Sequence, residues 1–106
     1  MFNVFGMTPM FAQAGLSGSG NPTYANINGR GIMTSILWYT STSDNANVDL
    51  VIVIDGVQVL RHNNTFTGDS PVIYHPFYRF NSNLLVYGDY HDGNRSSSCK
   101  IMYLLA

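Results

Sequence analysis

Apolar and β-branched residues recur along the chain in short runs separated by turn residues, and the runs follow a period of two rather than 3.6. The clearest is residues 48–60, VDLVIVIDGVQVL, in which two apolar runs flank Asp55-Gly56. Asp-Gly in that setting predicts a two-residue hairpin, because a type I′ turn needs positive φ at both central positions. In the first arm Val48, Leu50, Ile52 and Ile54 share one face, and Val51 and Val53 the other. Residues 32–40 (IMTSILWYT) read as a second strand, with Ile32, Ile36 and Trp38 opposite Met33, Leu37 and Tyr39. Residues 99–105 read as a third, with Ile101, Tyr103 and Leu105 opposite Met102 and Leu104. Residues 23–27 predict an edge strand ending at Asn28-Gly29. Residues 71–78 are extended but interrupted by Pro76, and 84–90 form a further strand after Asn81-Ser82-Asn83. Residues 41–47, 61–70 and 91–98 are polar and read as loops. The expected fold is an all-β, antiparallel β-sandwich of jelly-roll type with six to eight short strands.

The first eleven residues are apolar without either period: Phe2, Val4, Phe5, Met7, Met10 and Phe11 surround Gly6 and Pro9. Residues 15–22 (GLSGSGNP) follow and read as a flexible linker. The organisation expected is therefore an extended apolar arm with its linker over 1–22 and a sandwich domain over 23–106. An apolar terminus either folds back on its own core or docks on a neighbour. The docked reading makes Phe2, Phe5, Met7, Met10 and Phe11 interface residues. Ala12-Gln13-Ala14 looks like a signal-peptide cleavage site, but no Lys or Arg precedes Arg30, so the segment is read as retained.

Composition sharpens the fold class. Charged residues are 10% of the 106, there is no Glu and a single Lys, and Asn, Ser, Thr and Gly abound. An average soluble domain carries about 25% charge, and the residues missing here are the good helix formers. The net charge of −1 implies neither a nucleic-acid surface nor a basic membrane patch. A lone cysteine, Cys99, excludes an intramolecular disulfide and reads as a buried structural thiol.

No motif reads as an active site, and no cofactor or metal is expected. Asp89 and His91 would share a strand face, but no second cluster completes a ligand set, and a strand running into an Asp-Gly turn explains them. His62 and His75 have no acidic sequence neighbour, and Ser96-Ser97-Ser98 lacks the glycines of a nucleophile elbow. Asn63-Asn64-Thr65 and Asn94-Arg95-Ser96 match the glycosylation pattern, which matters only in a secreted chain. Trp38, Tyr39, Tyr74, Tyr78, Tyr87 and Tyr90 could stack on sugars or pack a core, and core or interface packing is the commoner use. Three strands apolar on both faces exceed what one small sandwich interior can bury. That surplus makes Val51, Val53, Met102 and Leu104 further interface residues and predicts a homo-oligomer, with a trimer favoured.

Four stretches carry a resemblance. They are residues 28–36 (NGRGIMTSI), the hairpin 53–57 (VIDGV), residues 77–86 (FYRFNSNLLV) and the terminal 101–105 (IMYLL). Together they resemble a loose group of small β-sandwich proteins encoded among the structural genes of tailed bacteriophages. The resemblance implies a non-enzymatic virion component, such as a capsid decoration, head-fibre or tail accessory protein. It also implies a virion location, with the major capsid or tail proteins as partners. The alternative is a β-sandwich module that binds carbohydrate or a host surface through its aromatics and the 61–70 stretch.

Overall fold

The computed structural model describes residues 6–18, 23–39, 46–66, 71–91 and 95–106. Among them the chain is all-β, with nine strands in two antiparallel sheets stacked as a sandwich. The strands are β1 (Thr8–Gly18), β2 (Thr23–Asn28), β3 (Gly31–Tyr39), β4 (Ala46–Ile54), β5 (Val57–Phe66), β6 (Val72–Tyr74), β7 (Tyr78–Phe80), β8 (Asn83–Tyr90) and β9 (Arg95–Leu105). The first sheet runs β1-β9-β3-β6, with β7 also on β3; the second runs β2-β8-β4-β5. Residues 75–77, with Pro76 among them, interrupt one edge strand and leave β6 and β7 as its two halves. Counted as one, the strands pair first with last, second with next to last, and inward to the β4–β5 hairpin, which is the nested pairing of a jelly roll.

The hairpin forms as its residues predict: φ is 51° at Asp55 and 83° at Gly56, both positive. The interior alternates as the period-two pattern requires. Val48, Leu50 and Ile52 of β4, Leu84 and Val86 of β8, and Cys99, Ile101 and Tyr103 of β9 all point into one core cluster with Met33, Ile36, Trp38 and Phe80.

In β3 the pattern departs from strict alternation. A register shift between Met33 and Ser35 inserts an extra residue, so Met33 joins Ile36 and Trp38 in the core, while Ile32 turns to the other side with Leu37 and Tyr39. Residues 61–66 also differ from their loop reading, while 67–70 lie outside the described residues. Strand β5 continues to Phe66 because its backbone stays paired with β4; Arg61 and Asn63 reach Asp49 on the outer side, whereas His62 turns inward to Trp38 and Tyr74. Strand β9 likewise begins at Arg95, four residues before the apolar run at Cys99, paired along β1.

The segment read as arm and linker supplies, over residues 8–18, the edge strand β1, paired with β9 from Thr8↔Leu105 to Gly18↔Arg95 without a shift. Residues 15–18 of the glycine-rich stretch thus lie in strand, against Ser98 to Arg95. Phe2 and Phe5 fall outside the described residues.

Two polar arrangements fasten the frame. Asp55 accepts hydrogen bonds from the backbone N–H groups of Asn81, Ser82 and Asn83 at 3.0, 2.7 and 3.0 Å and from the Ser82 hydroxyl at 3.0 Å, tying the hairpin to the β7–β8 turn. Inside the sandwich, Ser97 shares hydrogen bonds with the Tyr24 hydroxyl and, at 2.6 Å, with that of Tyr90. Burial pushes the pKa of both phenols up, so both stay neutral. Gly88 makes room for this group, because a Cβ there would stand 2.7 Å from the Tyr24 oxygen. Cys99 lies nearby, fully buried, its thiol pushed up to about 12 by desolvation. That is an inert packing thiol.

Candidate functional site

The two outer faces of the sandwich differ in chemistry. On the second sheet, β4 contributes Asp49, Val51 and Val53 to the outward side. Asp49 is nearly buried, and its carboxylate accepts from Arg61 Nη1 at 2.7 Å and Asn63 Nδ2 at 2.8 Å, with His91 Nε2 at 2.9 Å. Burial would raise the Asp49 pKa, but the hydrogen bonds from Asn63, Arg61 and His91 outweigh it and the net shift is down. Arg61 Nη1 also donates to Asp89 at 3.2 Å, and Asn63 to Asn47 at 2.7 Å.

Asp89 and His91 do meet in one cluster, but through Arg61 and Asp49 rather than as a pair aimed at a ligand. Among the described residues no group of three or more His, Cys, Asp or Glu could hold a metal ion. Both Asp49 carboxylate oxygens are occupied by the network's own donors, so it braces β4, β5 and the end of β8.

Val51 was expected to need a neighbour's cover. It is fully buried within this chain. In the register it lies between Arg61 and Tyr87, whose long side chains flank it on either strand. Val53, beside Leu85, is half-buried.

The outer face of the first sheet is different. Strand β1 places Phe11 beside Met102 of β9, Ser35 of β3 pairs with Met102 on its other side, and Leu37 stands between Lys100 and Ile73 of β6. These side chains, with His75, line an open apolar groove of about 200 Å³ that crosses all four strands. Phe11 is 56% exposed, Met102 52% and Ile73 59%. Leu104 is half-buried on the same face, and Met10 and Met7 lie at the β1 edge, partly exposed. Its one charged lining group is Lys100, whose Nζ lies 6.0 Å from the centre of the Tyr39 ring.

Met102 and Leu104 were legible as outward apolar residues from period-two alternation, and Phe11 only as an apolar residue of the expected arm. Leu37 was placed on the second face of its strand by the same alternation, whereas Ile73 and the groove itself were not legible, because they depend on which strands become neighbours. Of the aromatics, Trp38 and Tyr90 are buried in the core and Tyr74 and Tyr78 pack against it, so these four form no exposed platform. His62 lies on β5, its ring 6.0 Å from that of Trp38 and hydrogen-bonded to the Tyr74 hydroxyl, rather than in a loop.

No family model matches the chain, and no curated protein sequence does. Solved structures do match in fold. A chain in the structure of infectious bursal disease virus, Gx strain, superposes with a TM-score of 0.50 at 12% identity, over 92% of this chain and 33% of that one. A chain of dimeric latent PorU from Porphyromonas gingivalis superposes with a TM-score of 0.50 at 9% identity, over 90% of this chain and 13% of that one. At these identities the likeness is one of fold, and this chain spans a third or less of either neighbour. The class defined by fold and surface is thus an antiparallel jelly-roll sandwich with an apolar groove on one outer face.

Proposed function

We propose that the chain is a non-enzymatic structural protein of a bacteriophage virion, a capsid decoration or head or tail accessory component that assembles through apolar strand faces. The observation that carries this reading is the exposed groove of Phe11, Leu37, Ile73 and Met102 on the outer face of one sheet. A contiguous apolar surface on a small soluble domain marks an interaction site. The Asp49 carboxylate is satisfied by donors of its own chain, which favours a bracing role for it over catalysis. The phage assignment is supported by the resemblance over residues 28–105 and by a fold that viral shell proteins also use. Its partners on this reading are further copies of itself, with a trimer favoured, and the major capsid or tail proteins of the particle. The apolar residues before Gly6, including Phe2 and Phe5, would add to the attachment surface.

Particle incorporation tests the proposal. The double variant Phe11→Ser, Met102→Ser should fold normally and be absent from purified particles, whereas wild-type chain co-purifies with them at fixed copy number. Wild-type chain missing from particles, or the variant incorporated at the wild-type level, would overturn it.

A further inference from the structure

We propose that the groove on the first sheet receives the β4–β5 hairpin tip of a second copy of this chain. The inference deepens the assembly reading above and rests on it, adding which two surfaces meet. Apart from the groove, the described residues expose Met10 and Phe77 singly and one apolar pair, Val57 at 64% and Val59 at 42%, just past the Asp55-Gly56 turn. One surface is an open groove and the other is a turn edge carrying two exposed apolar side chains, so they can fit each other.

They also differ in charge. Lys100 is the groove's charged lining group, and the described carboxylates lie off that face: Asp49 and Asp89 on the second sheet, Asp55 at the hairpin tip. Two grooves set face to face would oppose Lys100 to Lys100 and leave apolar hollow against apolar hollow. Seating the hairpin in the groove instead brings Asp55 towards Lys100 and lays Val57 and Val59 on Phe11, Met102 and Ile73. Opposite charges in register favour one docking orientation and penalise the others. The contact is heterologous, so every copy retains one groove and one hairpin, and the array closes into a ring or continues as a filament according to the rotation at each step.

Directed cross-linking of the full chain tests this. Val57→Cys and Ile73→Cys alter well-exposed side chains, and the buried Cys99 thiol takes no part. Under an added oxidant, the two variants mixed should form a disulfide-linked pair about 100-fold more readily than either alone, as expected when docking raises the local thiol concentration from micromolar towards millimolar. Lys100→Glu in the Ile73→Cys chain should abolish that product, and Lys100→Arg should keep it. Efficient cross-linking of Ile73→Cys with itself would overturn the proposal in favour of a face-to-face pair. Absence of the mixed product would overturn it too. If light scattering then still finds wild-type oligomers, only this contact falls; a chain that neither cross-links nor oligomerises loses self-assembly as well.

Discussion

Asp55 shows how one side chain can serve two turns. Its φ of 51° belongs to the hairpin, while its carboxylate collects three backbone N–H groups from the neighbouring turn. Those bonds, led by that from Asn83, hold its pKa down at about 2, against 3.8 for a free side chain. The folded-state pKa lies below the unfolded one, so the ionised group stabilises the fold above about pH 4, and that contribution is lost as pH falls towards 2. Asp55→Asn keeps a residue tolerant of positive φ and removes the charge. We expect its urea midpoint to lie below wild type at pH 7 and the two curves to converge between pH 4 and 2; parallel curves would contradict the role. Gly88 acts through absence. In Gly88→Ala the new Cβ meets the Tyr24 oxygen at 2.7 Å and its ring carbon at 3.1 Å. Overpacking of this kind costs ~1–3 kcal/mol. Adding Tyr24→Phe removes the nearest atom, so the double variant should be more stable than the sum of the single losses, read from a denaturation cycle.

At the scale of elements, each strand has a core side and a second side whose use differs. In β4 the second side is closed by the chain's own Arg61 and Tyr87 over Val51. In β9 it stays open at Met102. Alternation in the sequence revealed the two sides of both strands equally well, and it correctly placed β4, β8, the apolar part of β9 and the Asp55-Gly56 turn. It could not tell the two outer faces apart, because closure depends on cross-strand neighbours that lie 10 or more positions away in the chain. Strand β1 was hidden for a related reason. Its residues lack a clean period because an edge strand pairs through its backbone, and 15–18 carry little side-chain information. The bulge in β3 was invisible too, since one inserted residue reverses the apparent face of Ile32 and Met33 without changing composition. The difference between the faces has a direct consequence. Leu50→Ala, on the buried side of β4, should cost about 2–5 kcal/mol. Met102→Ser, on the open side of β9, should alter stability by no more than about 0.5 kcal/mol while weakening self-association. Chemical denaturation and light scattering on the same samples separate the two effects.

The whole molecule is a set of nested strand pairs, and nesting dictates an order of assembly. β4 and β5 are joined by a two-residue turn, β3 reaches β6 across them, β2 reaches β8 across those, and β1 closes on β9 from opposite ends of the described chain. Loop-closure entropy rises with the length enclosed, so the inner hairpin is the cheapest pair to form and β1–β9 the most expensive unless the inner pairs already exist. Folding should therefore proceed outward from the Asp55-Gly56 turn and be slow, on a timescale of roughly milliseconds to seconds, as for other non-local β-topologies. Gly56→Ala forces an L side chain into φ 83° and strains the turn by about 1–2 kcal/mol. If the hairpin is formed in the transition state, that loss appears mainly as slower folding. Ala12→Gly weakens β1, where Ala12 packs against the core opposite Ile101, and its loss should appear mainly as faster unfolding. Stopped-flow chevrons of the two variants decide the matter: the reverse assignment of the limbs would mean that the termini come together before the inner hairpin.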